Sequence, residues 1–229
     1  MNSNKLVVVK QKLHEFKSYD KKDKKGKLLY YSNGDVKLFS LYSQTLVTST
    51  VCQGYIPCTY KHLFKKINIK NKKVHILHLG TGFGYDLVWV SKFLQKQQIV
   101  DCKLSGVDSE DYSEFRPHKN KFHHSVEFYE SDVVEFIENQ EPAKDEFTII
   151  YVDIAVGVCT GGTQRSMHML HDVSFWKGLK HRLDPDIVLV NIIDGPTTIN
   201  TVSQVFDINQ YEKMMMRTKE IYYMQGANK

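Results

Sequence analysis

The sequence contains no apolar run approaching the roughly 20 residues that a membrane-spanning helix requires. Leu6–Val9 is too short for the apolar core of a secretory leader. No membrane association is expected. Cysteine is scarce, and Cys52, Cys58, Cys102 and Cys159 show no paired metal-type spacing. Reduced thiols and a cytoplasmic location are the expectation. His168 and His171 share a helical face but have no carboxylate or thiol companion in the sequence, so no metal site is expected either. No internal repeat or long low-complexity tract appears, which excludes solenoid architectures. The rest is ordinary globular composition: 229 residues, 41% hydrophobic and 25% charged, enough for one sizeable domain.

The net charge of +5 is unevenly spread. Residues 1–30 hold nine Lys against Glu15, Asp20 and Asp23, and the rest of the chain holds 22 basic and 23 acidic residues. The basic character therefore belongs to an N-terminal arm, residues 1–27, expected to be solvated and partly mobile. Such an arm could contact an acidic partner or RNA. Its lysines have no arginines among them, so a nucleic-acid partner is not favoured.

Residues 74–86 organise everything else. Val74, Ile76, Leu77 and Leu79 form a strand pattern that runs into Gly80, Gly82 and Gly84 and then a helix over Tyr85–Gln97. A strand passing through glycines into a helix opens a doubly wound α/β sheet. Glycine keeps the turn tight and lets a ligand approach the backbone. The helix N-terminus adds free N–H groups and partial positive charge. A dinucleotide fingerprint would place its third glycine at 85, where Tyr85 stands. The Gly-x-Gly-x-Gly spacing is instead similar to that of S-adenosylmethionine-dependent methyltransferases. A structural turn without a ligand is the alternative reading.

Before this stretch, residues 28–70 read as a small β-rich unit. Its strands are 28–31, 36–42 and 46–51, its turn is Ser32-Asn33-Gly34-Asp35, and its helix is 55–67. After it, residues 71–229 read as the main sheet domain. The second strand ends at Asp108, 24 residues beyond Gly84 and close to the spacing of a ribose-binding acid. Asp108 could instead cap the following helix. The polar segment 109–124 contains Pro117, so any helix there is short or irregular. Asp132 follows the third strand, 126–129, as an adenine-edge acid, an N-cap, or both. The near-continuous apolar run 147–152 suits a central parallel strand. It delivers Asp153 to the sheet's carboxyl end, where ligands bind in open α/β sheets. The glycine-containing loop Ala155–Gly162 is a substrate-facing flap or a flexible connection. Strands at 187–193, 211–216 and 220–225 complete the pattern, after a helix whose core side is Val173, Trp176, Leu179 and Leu183.

This order of motifs resembles the spermidine-synthase-like branch of the Rossmann-type methyltransferase superfamily, over most of residues 28–225. Tyr55–His62, Phe147–Asp153, Val188–Ile193 and Val205–Gln225 look closest to the spermidine-synthase-like half of the methyltransferase that modifies elongation factor 1-alpha. The resemblance implies a Rossmann-like seven-stranded sheet with a reversed last strand, behind a small β-rich piece. It implies S-adenosylmethionine as cofactor, held by Gly80, Gly82, Phe83, Gly84, Asp108, Asp132 and Asp153. Asp153 would also be catalytic, orienting an amine acceptor on a protein or small molecule. A homodimer is compatible with the resemblance. Aminopropyltransferases, the other subgroup, carry an Asp where this chain has Phe83 and a second acid after the fourth strand. Here the run is Asp153-Ile154-Ala155-Val156-Gly157, so only the first acid remains. Each missing charge-assisted hydrogen bond to a polyamine is worth roughly 1.5–3 kcal/mol, which disfavours aminopropyl transfer. A catalytically silent relative with a binding or regulatory role is the reading from another class.

Overall fold

A computed structural model describes residues 13–21, 24–40, 46–141, 145–154, 169–192, 195–206, 211–216 and 219–225. Four strands come first: β1 (Leu13–Lys21), β2 (Lys24–Tyr31), β3 (Val36–Ser40) and β4 (Leu46–Ser49). They pair antiparallel in that order. The 32–35 turn closes as its residues predict. The Gly34 amide donates to the Tyr31 carbonyl at 2.9 Å, and the Asp35 amide donates to Asn33 Oδ1 at 3.2 Å. Tyr19, Leu28 and Leu38 bury one face of this sheet against Phe83 and Tyr112.

The basic arm is thereby corrected over its described part. Residues 13–21 and 24–27 are strand, and the division at 27 runs through the middle of β2. Lys17 and Lys27 reach solvent while Tyr19 is buried. Lys17 shares the face of Tyr19 and Leu28 but stands beyond its buried part, so its charge stays in solvent without opposing the strand. Deleting residues 1–27 should therefore uncover Leu28 and Leu38 and remove Tyr19. Loss of one large buried aromatic costs about 3–5 kcal/mol. The truncated chain should melt far below the full chain in circular dichroism. An unchanged melting temperature would make residues 13–27 an appendage after all.

Next comes α1 (Tyr55–Lys66), with Pro57 in the first turn, where a missing N–H breaks no helical bond. Its buried side is Tyr55, Ile56, Thr59, Tyr60 and Leu63. The main sheet is centred on β5 (Val74–Leu79). This strand pairs parallel with β6 (Cys102–Asp108) on one side and β8 (Phe147–Val152) on the other. β7 (Ser125–Glu130) adds beyond β6, and β9 (Ile187–Ile192) beyond β8. β11 (Lys219–Gln225) lies antiparallel on β9, and β10 (Tyr211–Met216) antiparallel on β11. Five parallel strands and a separate antiparallel sheet place the chain in the α/β class.

Successive side chains of the central strands point to opposite faces. Ile76, Ile149, Tyr151 and Leu189 share one core with α1 and α2 (Tyr85–Lys96). Leu77, Ile150, Val152, Val188 and Val190 share the other with α3 (Val133–Glu138) and α4 (Val173–Leu183). Burial on both faces explains why these strands read as unbroken apolar runs. Between β6 and β7 there are only 3-10 turns, at Ser113–Phe115 and Lys119–Lys121. α5 (Gly195–Val202) opens on Gly195-Pro196, a pair that reads as a breaker in sequence but suits a first helical turn. No helix among the described residues is long and apolar enough to cross a membrane. The loop Ala155–Gly162 and His168 lie outside the described residues.

Candidate active site

The parallel strands on either side of β5 are reached by crossovers in opposite directions, so the carboxyl ends of β5 and β8 form a switch point. A cleft opens there. Its walls are the glycine loop, the first turn of α2, Thr48 and Ser49 of β4, Gln53, Tyr55 and Asp153.

The glycine loop is folded tightly onto its own protein. Gly80 has φ +82°, and a Cβ there would lie 2.5 Å from the Asp153 carbonyl oxygen. Gly82 has φ +53°, and a Cβ there would collide with the Thr48 hydroxyl. Both positions therefore demand glycine before any ligand is considered. The loop amides are also engaged. Gly80 and Thr81 donate to the Val107 carbonyl at 2.9 and 3.0 Å, and Gly84 to the Thr81 carbonyl at 3.0 Å. Gly82 donates to Asp108 Oδ2 at 2.9 Å, and Phe83 to Thr48 Oγ1 at 2.8 Å. From outside, the half-buried Arg116 guanidinium donates to the Gly82 carbonyl and lies 4.4 Å from the centre of the Phe128 ring.

Phe83 is the first site residue that the structure relocates. It is fully buried and does not line the cleft. Its ring stacks on Phe115 at 4.7 Å and meets Tyr112 edge-on at 5.2 Å. It joins the small sheet to the main one, because an aromatic ring on a tight loop finds its lowest energy in that apolar seam.

Asp108 is 8% exposed and works as a clamp. One carboxylate oxygen holds the Gly82 amide, and the other accepts from the Glu110 amide at 3.2 Å. Asp132 caps α3, accepting from the Val134 amide at 2.9 Å and more loosely from Glu135 at 3.5 Å. It is exposed and lies outside the cleft wall.

Asp153 is where the sequence places it, at the mouth of β8, and it is rigidly held. Tyr55 donates its hydroxyl to Oδ2 at 2.7 Å, and Asn191 donates its amide to Oδ1 at 2.6 Å. Burial, with the Asp153 charge next, holds the Tyr55 hydroxyl far above its ordinary pKa, so it stays a donor. Behind this group, Tyr60 bonds to His78 Nε2 at 2.7 Å, and burial lowers the His78 pKa to about 3.

Asp86 is the functional candidate that sequence reasoning missed. It stands in the first turn of α2, lines the cleft, and accepts from the Gln53 amide at 2.8 Å. Burial raises its pKa to about 7; hydrogen bonds from Gln53 and Cys52 pull it down, and the charge of Asp153 pushes it up. An acid in the first turn of a helix that opens on a glycine loop was the available signal. Because the folded-state pKa lies above the unfolded value, the folded chain holds this proton more tightly. Its ionisation therefore removes stability as pH rises from about 4 towards about 7. Asp86→Asn should flatten that fall, so thermal melts at pH 5 and pH 8 should differ less in the variant than in the parent. Equal differences would contradict the raised pKa.

No Lys or Arg of the described residues lines the cleft, and Asp86 and Asp153 are the acids that do. Among the described residues, no three His, Cys, Asp or Glu side chains gather as metal ligands would.

No protein-family model matches the chain, and no curated protein sequence does. Solved structures resemble it. MnmC2 from Aquifex aeolicus superposes with a TM-score of 0.55 at 12% identity, over 90% of this chain and 72% of that one. The N-methyltransferase NodS from Bradyrhizobium japonicum, in complex with S-adenosyl-l-homocysteine, gives 0.52 at 10% identity, over 76% and 88%. A Listeria monocytogenes protein assigned to the class I S-adenosylmethionine-dependent methyltransferases gives 0.50 at 16% identity, over 83% and 63%. At these identities the likeness establishes the architecture, and the chain has the Rossmann-like fold found in S-adenosylmethionine-dependent methyltransferases.

Proposed function

We propose that this chain is an S-adenosylmethionine-dependent methyltransferase acting on an amine, of the spermidine-synthase-like branch. The charge arrangement of the cleft carries the reading. Asp86 and Asp153 supply carboxylates, and the first turn of α2 has no side-chain cap, so its backbone amides offer donors there. A zwitterionic amino-acid group beside a sulfonium suits that pairing: carboxylate towards the helix amides, ammonium towards Asp86, with Asp153 left to the acceptor. The spacing of Asp108 after the glycine loop supports a ribose contact, although its first task is to hold the loop. The small antiparallel sheet ahead of the main one supports the branch. So does the order β10-β11-β9-β8-β5-β6-β7, in which β11 is reversed.

When bound, the cofactor supplies an electrophilic methyl on sulfur. The chain's own residues align and dry the reactants. Asp153, fixed by Tyr55 and Asn191, orients a neutral amine and accepts the proton that the amine must shed. A protein lysine or N-terminus is the favoured acceptor.

One observation favours a second reading, aminopropyl transfer. The sequence after Asp153 offers a single acid where a polyamine needs two, and Asp86 brings a second carboxylate to the same cleft. Two incubations separate the readings. Methyl-labelled S-adenosylmethionine with cell lysate should label protein in an amine-directed, base-stable linkage. Decarboxylated S-adenosylmethionine with putrescine should yield no spermidine. Spermidine without protein labelling would reverse the order of the two readings, and neither product would leave a silent binding protein.

A further inference from the structure

The outer faces of α1 and α2 carry positive charge with no acid among it. From Tyr55 to Lys73 the sequence holds six lysines and no Asp or Glu. α2 adds Lys92 and Lys96, and its only acid, Asp86, sits in the cleft at the start of the helix. Lys61, Lys65, Lys92 and Lys96 are all exposed. At 3.6 residues per turn, Lys61 and Lys65 share the side of α1 away from Ile56 and Leu63, and Lys92 and Lys96 the side of α2 away from Leu87 and Leu94. Charge alone would make this an ordinary solvated face, but aromatic rings lie between the lysines. Phe64 of α1 meets Phe93 of α2 edge-on at 5.3 Å, and Trp89 stacks on Phe93 at 5.1 Å with 13° between the planes. All three rings pack against the core and are still only half-buried.

We propose that this face binds single-stranded RNA, the four lysines following the phosphates and Trp89, backed by Phe93, stacking an unpaired base. A positively charged surface with aromatic platforms is how proteins hold single strands, and every base offers a π-face to such a ring. RNA presents unpaired bases in its loops and ends, whereas a duplex keeps their faces stacked. An acidic peptide would match the lysines and leave the rings unused. A membrane surface would call for apolar side chains that plunge into it, and these rings stay anchored in the core. The face is distinct from the candidate active site, because none of these residues lines the cleft. Lys65 and Lys96 lie ten residues beyond Tyr55 and Asp86, roughly 15 Å along their helices. RNA held there therefore leaves the cleft open.

Titration of the full chain with oligouridylate of about 15 nucleotides, read by anisotropy and by tryptophan emission, tests this. Lys61→Glu with Lys65→Glu should weaken binding about ten-fold or more and lessen its salt dependence by about 1–2 in log K per decade of salt. Trp89→Ala should weaken it about five-fold or more. The chain's two tryptophans are Trp89 and the fully buried Trp176, so bound RNA should quench the emission of Trp89. Trp89→Phe should abolish the quench and keep most of the affinity, because a ring remains to stack. Circular dichroism melts confirm that the variants fold. RNA binding that ignores the double charge reversal would belong to the N-terminal lysines and overturns the proposal. So does binding without quenching, equal binding of polyglutamate or duplex DNA, or preference for phosphatidylserine vesicles over the oligonucleotide.

Discussion

Asp153→Asn should lower single-turnover methyl transfer by about a hundred-fold or more while changing cofactor affinity by less than about three-fold. The carboxylate stands at the mouth of the central strand, with both oxygens held at 2.7 and 2.6 Å by Tyr55 and Asn191. An asparagine can keep that geometry. Its amide can face the Tyr55 oxygen, which accepts as well as donates, while its carbonyl keeps the Asn191 bond. What it cannot do is carry negative charge or take a proton from an amine. A loss confined to turnover marks an interaction made mainly in the transition state. A variant with normal turnover would move catalysis to another group. A variant with lost cofactor affinity would make Asp153 a binding residue only.

Asp108→Ala should have the second-largest effect, and mainly on stability. The side chain bonds the amides of Gly82 and Glu110 in a nearly buried setting. Removing it leaves two donors without partners, at a cost of about 2 kcal/mol or more. For a chain of this size that corresponds to a melting temperature lower by roughly 4–8 °C. The sequence alone suggests a different result, weaker cofactor binding in an undisturbed fold, because Asp108 sits at ribose-acid spacing. The clamp couples the two effects: a loosened glycine loop weakens whatever binds beside it. A variant with an unchanged melting temperature and ten-fold weaker cofactor binding would return Asp108 to the ribose. A variant unchanged in both would leave it with neither role.

Much of the α/β framework was legible because its signals are local. The apolar runs at 74–79, 147–152 and 187–192 announce strands buried on both faces, and both faces of the sheet do carry a packed core. The 32–35 turn and the Asp132 cap depend on neighbours two or three residues away, so side-chain chemistry alone predicts them. Misreadings arose where long-range packing decides. β1 was hidden by its lysines, because Lys17 stands on the same face as Tyr19 and breaks the apolar–polar alternation by which a strand is read. Phe83 and Thr48 are 35 residues apart, and no spacing rule places that hydroxyl on that amide. Asp86 and Gln53 meet across a similar distance, as do Arg116 and the Gly82 carbonyl. The glycines were read as room for a ligand. In the fold they first make room for Asp153 and Thr48.

Calorimetric titration of the full chain with S-adenosylmethionine, its demethylated product and its decarboxylated form tests the central claim most directly. The cleft should bind the first two, with the carboxylate of the amino acid on the α2 amides and its ammonium on Asp86. Affinity should rise with pH through about 7 as Asp86 ionises, and that rise should be absent in Asp86→Asn. Failure of all three ligands to bind a folded chain would contradict the claim, and preference for the decarboxylated form would transfer the cleft to aminopropyl chemistry.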